Sequence, residues 1–102
     1  MTGTVPGPVF TPELFSPHLG TVFTASWPEG TAELRLVAVD VVPGEGRHRS
    51  FSMEFEGSGA TFLPQRIYRL EHDDVPGMDL FLVPIGERAG GYVYQAVFTS
   101  LD

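Results

Sequence analysis

The chain has 102 residues, 42% of them apolar, which fits a single domain with one core. Thirteen acids against six cations give a net charge of −7, and such a surface repels phosphate backbones and anionic lipid. There is no Cys and no Lys, so disulfides, thiolate nucleophiles, zinc–thiolate sites, Schiff bases and a P-loop lysine are all excluded.

Residues 1–10, MTGTVPGPVF, carry isolated apolar side chains (Val5, Val9, Phe10) between Gly and Pro. Pro6 and Pro8 favour an extended course, and an arm of this kind needs a surface to lie on. The segment lacks the basic region and long apolar stretch of a secretory leader. The location is not fixed by this: a cytoplasmic place, export by another route and export as part of an assembly all stay open. No apolar run reaches the ~20 residues of a membrane span.

Residues 11–102 read as one β domain. Thr11-Pro12-Glu13-Leu14 predicts a helix start: a capping hydroxyl, a proline suited to the first position and an acid at the positive end of the dipole. Pro17 ends it, leaving a short turn that carries Leu14 and Phe15 toward the core. Residues 19–25 predict a first strand, Pro28-Glu29-Gly30 a turn, and residues 31–42 a longer strand with Leu34, Leu36 and Ala38 on one face. After the Pro43–Gly46 loop, residues 49–56 alternate, with Phe51, Met53 and Phe55 inward and Ser52, Glu54 and Glu56 outward. Further strands are expected at 65–72, 79–85 and 92–99, the last with Tyr94, Ala96 and Phe98 on one face. Six strands with no long helical pattern predict an all-β fold, a small antiparallel barrel or sandwich.

The strand at 79–85 is apolar on both faces: Leu80 and Leu82 on one, Phe81, Val83 and Ile85 on the other. A small antiparallel sheet ordinarily leaves one face to water, so each flank here needs shelter. The chain's own ends, the helical turn and the arm, are the favoured cover. A second subunit is the other solution. Val5, Val9, Phe10, Trp27, Phe81, Val83 and Ile85 are the candidate partner-contact residues.

Chemistry-bearing clusters are sparse. Glu71-His72-Asp73-Asp74 is the densest, but neighbouring strand residues point apart and the loop lacks the order of a calcium hand, so a polar turn is the better reading. Glu54 and Glu56 sit about 7 Å apart along a strand. That spacing suits glycoside hydrolysis, yet a solvent face lacks the pocket that raises one carboxyl pKa. Blunting an exposed sheet edge suits them better. His18, His48 and His72 are scattered over three segments, and Arg47-His48-Arg49 makes a small basic spot. Neither a catalytic, metal nor cofactor site is assigned.

Four groups carry a family resemblance: residues 51–57 (FSMEFEG); Leu63-Pro64-Gln65 with Tyr68, Leu70 and His72; residues 80–86 (LFLVPIG); and residues 94–98 (YQAVF). With His18-Leu19-Gly20 and Phe23 they resemble an uncharacterised family of bacterial β domains of about this length. The matched positions are core and turn residues. Members lie near genes for phage-tail-collar-like proteins, so the resemblance implies a structural or accessory role in a tail-like or extracellular assembly. It carries over no catalytic residue.

The expectation is therefore a non-enzymatic interaction module with a protein partner or self-association, donating an extended segment to a neighbour's sheet edge. The alternative is a small barrel binding an apolar or carbohydrate-like ligand in a pocket lined by Tyr68, Tyr92 and Tyr94.

Overall fold

A computed structural model describes residues 12–42 and 48–101. The arm with Val5, Val9 and Phe10, the cap at Thr11 and the loop that includes Arg47 lie outside the described residues, as do the side chains of His48 and Arg49. A four-residue helix, α1 (Pro12–Phe15), runs into a 3-10 turn (Ser16–His18). Six strands follow: β1 (Val22–Trp27), β2 (Gly30–Val42), β3 (His48–Gly57), β4 (Arg66–His72), β5 (Val75–Arg88) and β6 (Gly91–Leu101). They close into an antiparallel barrel in the order β1-β2-β3-β6-β5-β4. The seam is β1 on β4, where Thr24, Ala25 and Ser26 pair with Glu71, Leu70 and Arg69.

The period-two pattern fills the barrel. Phe23, Ala25, Leu34, Leu36, Met53, Phe55, Leu70, Leu80, Leu82 and Ala96 are all buried. One end is stoppered by aromatic rings. Phe51 and Phe98 face each other across β3 and β6 and stack at 4.8 Å between ring centroids, and Phe15 of α1 lies 6.0 Å from each. Burying the Phe15 ring stabilises the fold by roughly 1.5–3 kcal/mol. The chain is then led into β1 by two main-chain bonds, Gly20 N–H to Leu36 C=O and Leu36 N–H to Thr21 C=O. Gly20 has φ of +85°, where a side chain is strained.

Three bulges re-aim the strands and correct the sequence reading. In β2 the register slips between Leu36 and Ala38, so Val39 rather than Ala38 follows Leu36 onto the core. In β4–β5 it slips between Leu70 and His72, which confines the connection to Asp73-Asp74. In β5–β6 it slips between Pro84 and Gly86, a place where a sheet tolerates a proline that donates no hydrogen bond. β5 therefore runs through Val75–Arg88, well beyond residues 79–85, and turns at Ala89-Gly90. Those two residues have φ of +53° and +82°, the paired positive values of a tight two-residue hairpin.

Candidate functional site

Two surfaces carry more than solubility requires. The first is the outer wall of β4, β5 and β6. On β5, Leu80 and Leu82 are buried inside the barrel, while Phe81 is 49% exposed outside it. Phe81 pairs directly with Ile67 of β4, which is 61% exposed. β5 meets β6 only from Val83, which pairs with Gln95, and Val97, two residues further along β6, is 62% exposed and pairs with Ser52 of β3. Ile67 and Phe81 thus form one exposed apolar row across β4 and β5. Val83 continues it half-buried, and Ile85, the extra residue of the Pro84–Gly86 bulge, lies exposed at its end. The Arg69–Asp79 ion pair, 3.6 Å apart on opposed strands, borders the row. A polar rim around an apolar centre is the anatomy of a protein contact surface.

The helical turn does not supply the expected intramolecular cover, and the arm, the other part of that cover, lies outside the described residues. Phe15 is buried in the barrel's aromatic stopper, on the inner side of the sheet, and leaves the Phe81 flank open. The strands close into a ring, so each has a neighbour on both sides and only part-lengths of strand are left for strand addition. For the same reason Glu54 and Glu56 do not guard an edge: β3 is paired on both sides, to β2 and to β6. Both acids face Arg88, at 3.9 and 3.2 Å, on the solvent side.

The remaining sequence candidates are structural in placement. Trp27 is half-buried and packs edge-on against Tyr68, with centroids 5.5 Å apart. The tyrosines nominated as pocket lining fill the interior instead: Tyr68 and Tyr94 are 1% and 0% exposed. The Tyr68 hydroxyl donates to the Pro64 carbonyl, and the Tyr94 oxygen accepts the Leu63 N–H. Burial pushes both phenol pKa values up, partly offset by Arg66 at Tyr68 and by the Leu63 N–H at Tyr94. Tyr92 is half-buried beside Phe62. Among the described residues the core contains neither a charged residue nor an unpartnered buried side-chain polar atom.

The second surface is the polar end of β4. His72 closes β4, and the 3-10 turn brings His18 to it, with ring centroids 4.8 Å apart. Sequence reading left these two histidines unconnected, because the contact spans 54 residues and depends on how β1 seats against β4. The hydrogen bonds fix the His72 tautomer. Thr21 Oγ1 lies 2.6 Å from the His18 carbonyl, which can only accept, so the hydroxyl donates there. The same oxygen lies 3.0 Å from His72 Nε2 and is therefore the acceptor, so Nε2 carries the proton. On the other side of the ring the Asp74 N–H donates to Nδ1 at 3.0 Å, which requires a bare nitrogen there. Both bonds demand one tautomer. The ring also packs on Phe23 at 4.6 Å.

Both surfaces fall within a stretch, residues 10–98, that matches a family model described as a domain of unknown function, DUF6916. The chain belongs to that family. The DUF6916 match spans α1 and the barrel from β1 into β6 and so includes Ile67, Phe81, Val97, His18 and His72. The family's description assigns none of them a role. No curated protein and no solved structure matches the chain.

Proposed function

We propose that this domain is a non-enzymatic β interaction module, a structural or accessory subunit of a larger protein assembly of the tail-like or extracellular kind. The observation that carries the reading is the exposed cross-strand pair Ile67–Phe81 on the outer wall, with Val97 exposed on β6. Large apolar side chains left in water raise the free energy of the isolated chain, and a protein partner removes that cost. With the barrel closed, contact is made by a face of the sheet rather than by lending it an edge. The acidic surface, at −7, steers the domain toward neutral or basic protein surfaces and away from nucleic acid.

Light scattering of the full chain at micromolar concentration, together with co-purification from the native organism, tests this. Association that Ile67→Glu and Phe81→Glu each abolish, with the thermal midpoint unchanged, is the supporting result. A wild-type chain that stays monomeric and co-purifies with nothing sensitive to those substitutions overturns it.

A further inference from the structure

We propose that His18, His72 and Asp74 form a binding site for a divalent transition metal of the zinc class, which pins the N-terminal 3-10 turn to the β4–β5 hairpin. One ligand atom from each of the three residues can be chosen so that all lie within 4.8 Å of one another. Zinc holds nitrogen and oxygen ligands at about 2.0–2.2 Å, so tetrahedral ligands sit roughly 3.4 Å apart. The three groups are within a side-chain rotation of that spacing. They come from two stretches of the chain, the 3-10 turn and the β4–β5 hairpin, half-buried at His18 and His72 and exposed at Asp74.

The hydrogen-bond network supplies the outer shell that such sites use. A metal-bound imidazole donates its other N–H to a fixed acceptor, which sets tautomer and ring orientation. His72 already does so: Nε2–H is held by Thr21 Oγ1, itself anchored on the His18 carbonyl. The bare Nδ1 lone pair faces the turn that bears the Asp74 carboxylate. A metal at Nδ1 displaces one backbone N–H, that of Asp74, at an exposed turn where water replaces the lost partner. Two imidazoles and one carboxylate select zinc, copper(II), nickel or cobalt over magnesium and calcium. Glu71 and Asp73 add negative charge beside the site. Three protein ligands leave one position for water, so the bond made is a cross-link between residue 18 and residues 72 and 74. The proposal is independent of the apolar wall, which lies on the outer face of β4–β6.

Metal-stripped full-length protein titrated with Zn2+, followed by calorimetry and by imidazole NMR, decides the matter. The expected result is one equivalent bound, with the His18 and His72 ring resonances both shifting. The thermal midpoint rises with Zn2+ and not with Mg2+. His18→Ala and His72→Ala each weaken Zn2+ binding by at least about tenfold, and Thr21→Ala weakens it by a similar factor through the outer shell. A titration without binding, or one in which the wild-type His18 and His72 resonances stay in place, overturns the proposal. The NMR readout needs no variant and stands even where a substitution disturbs folding.

Discussion

The Tyr94 phenol oxygen receives the backbone N–H of Leu63 at 2.9 Å, with both residues essentially out of water. This one bond ties the β3–β4 connection down onto β6. Tyr94→Phe leaves the Leu63 N–H buried and unpaired, which costs about 1–3 kcal/mol. Equilibrium urea denaturation is expected to show a lower midpoint by that amount with an unchanged slope, because the surface exposed on unfolding is the same.

The same burial sets an alkaline limit. The Tyr68 and Tyr94 phenols have pKa values raised by burial above the ordinary 10.0. Below pH 10 both are protonated whether the chain is folded or not, and their contribution to stability is fully present. Above it the unfolded chain releases protons that the folded chain keeps, so stability falls as pH climbs from about 10 through the raised folded values. Thermal midpoints measured across that window should decline, and the decline should flatten in a Tyr68→Phe, Tyr94→Phe double variant.

Phe15 reaches the core from a helix of only four residues, so nothing in α1 but its contacts holds it. Phe15→Ala removes a fully buried ring from the stack with Phe51 and Phe98. A loss of about 3–5 kcal/mol is expected. Hydrogen exchange should also show α1 opening while the β3–β6 ladder stays protected.

Two glycines hold backbones in contact. A Cβ on Gly59 would meet the Gly90 carbonyl, and one on Gly91 would meet the Gly57 carbonyl, so the turn after β3 and the β5–β6 hairpin press together there. Gly59→Ala and Gly91→Ala are expected to cost about 1–3 kcal/mol each through forced backbone shifts. Gly86 has nothing within 4 Å of its missing Cβ. Gly86→Ala should therefore stay within about 0.5 kcal/mol of wild type. Thermal denaturation of the three variants side by side checks the contrast.

How much of this was legible beforehand follows from the range of each interaction. The alternation of Phe51, Met53 and Phe55, and of Tyr94, Ala96 and Phe98, is a property of neighbouring residues and correctly named the inner face. Six strands and an all-β fold follow from such runs. The bulge that moves the core from Ala38 to Val39 depends on β3, and the extension of β5 to Arg88 depends on its hairpin with β6, so neither shows in local pattern. The double apolarity of residues 80–85 was visible, but which flank stays wet was settled by barrel closure. The His18–His72 contact required knowing that β1 pairs with β4. Among single residues, Tyr68 and Tyr94 stood as ligand-lining candidates in the alternative reading because sequence does not reveal that Pro64 and Leu63 fold back to satisfy their hydroxyls.

Phe81 and Leu82 are adjacent, similar in hydrophobicity and opposite in environment, and they separate folding from association. Leu82 is 0% exposed inside the barrel, so Leu82→Ala should cost about 2–5 kcal/mol. Phe81 stands half in water beside Ile67, and Phe81→Ser there should change stability by no more than about 0.5 kcal/mol. If the outer wall docks a protein, the Phe81 variant loses association while keeping its thermal midpoint, and the Leu82 variant loses its midpoint first. A Phe81→Ser protein that unfolds as readily as Leu82→Ala would place Phe81 in this chain's own core and remove the wall as a contact surface.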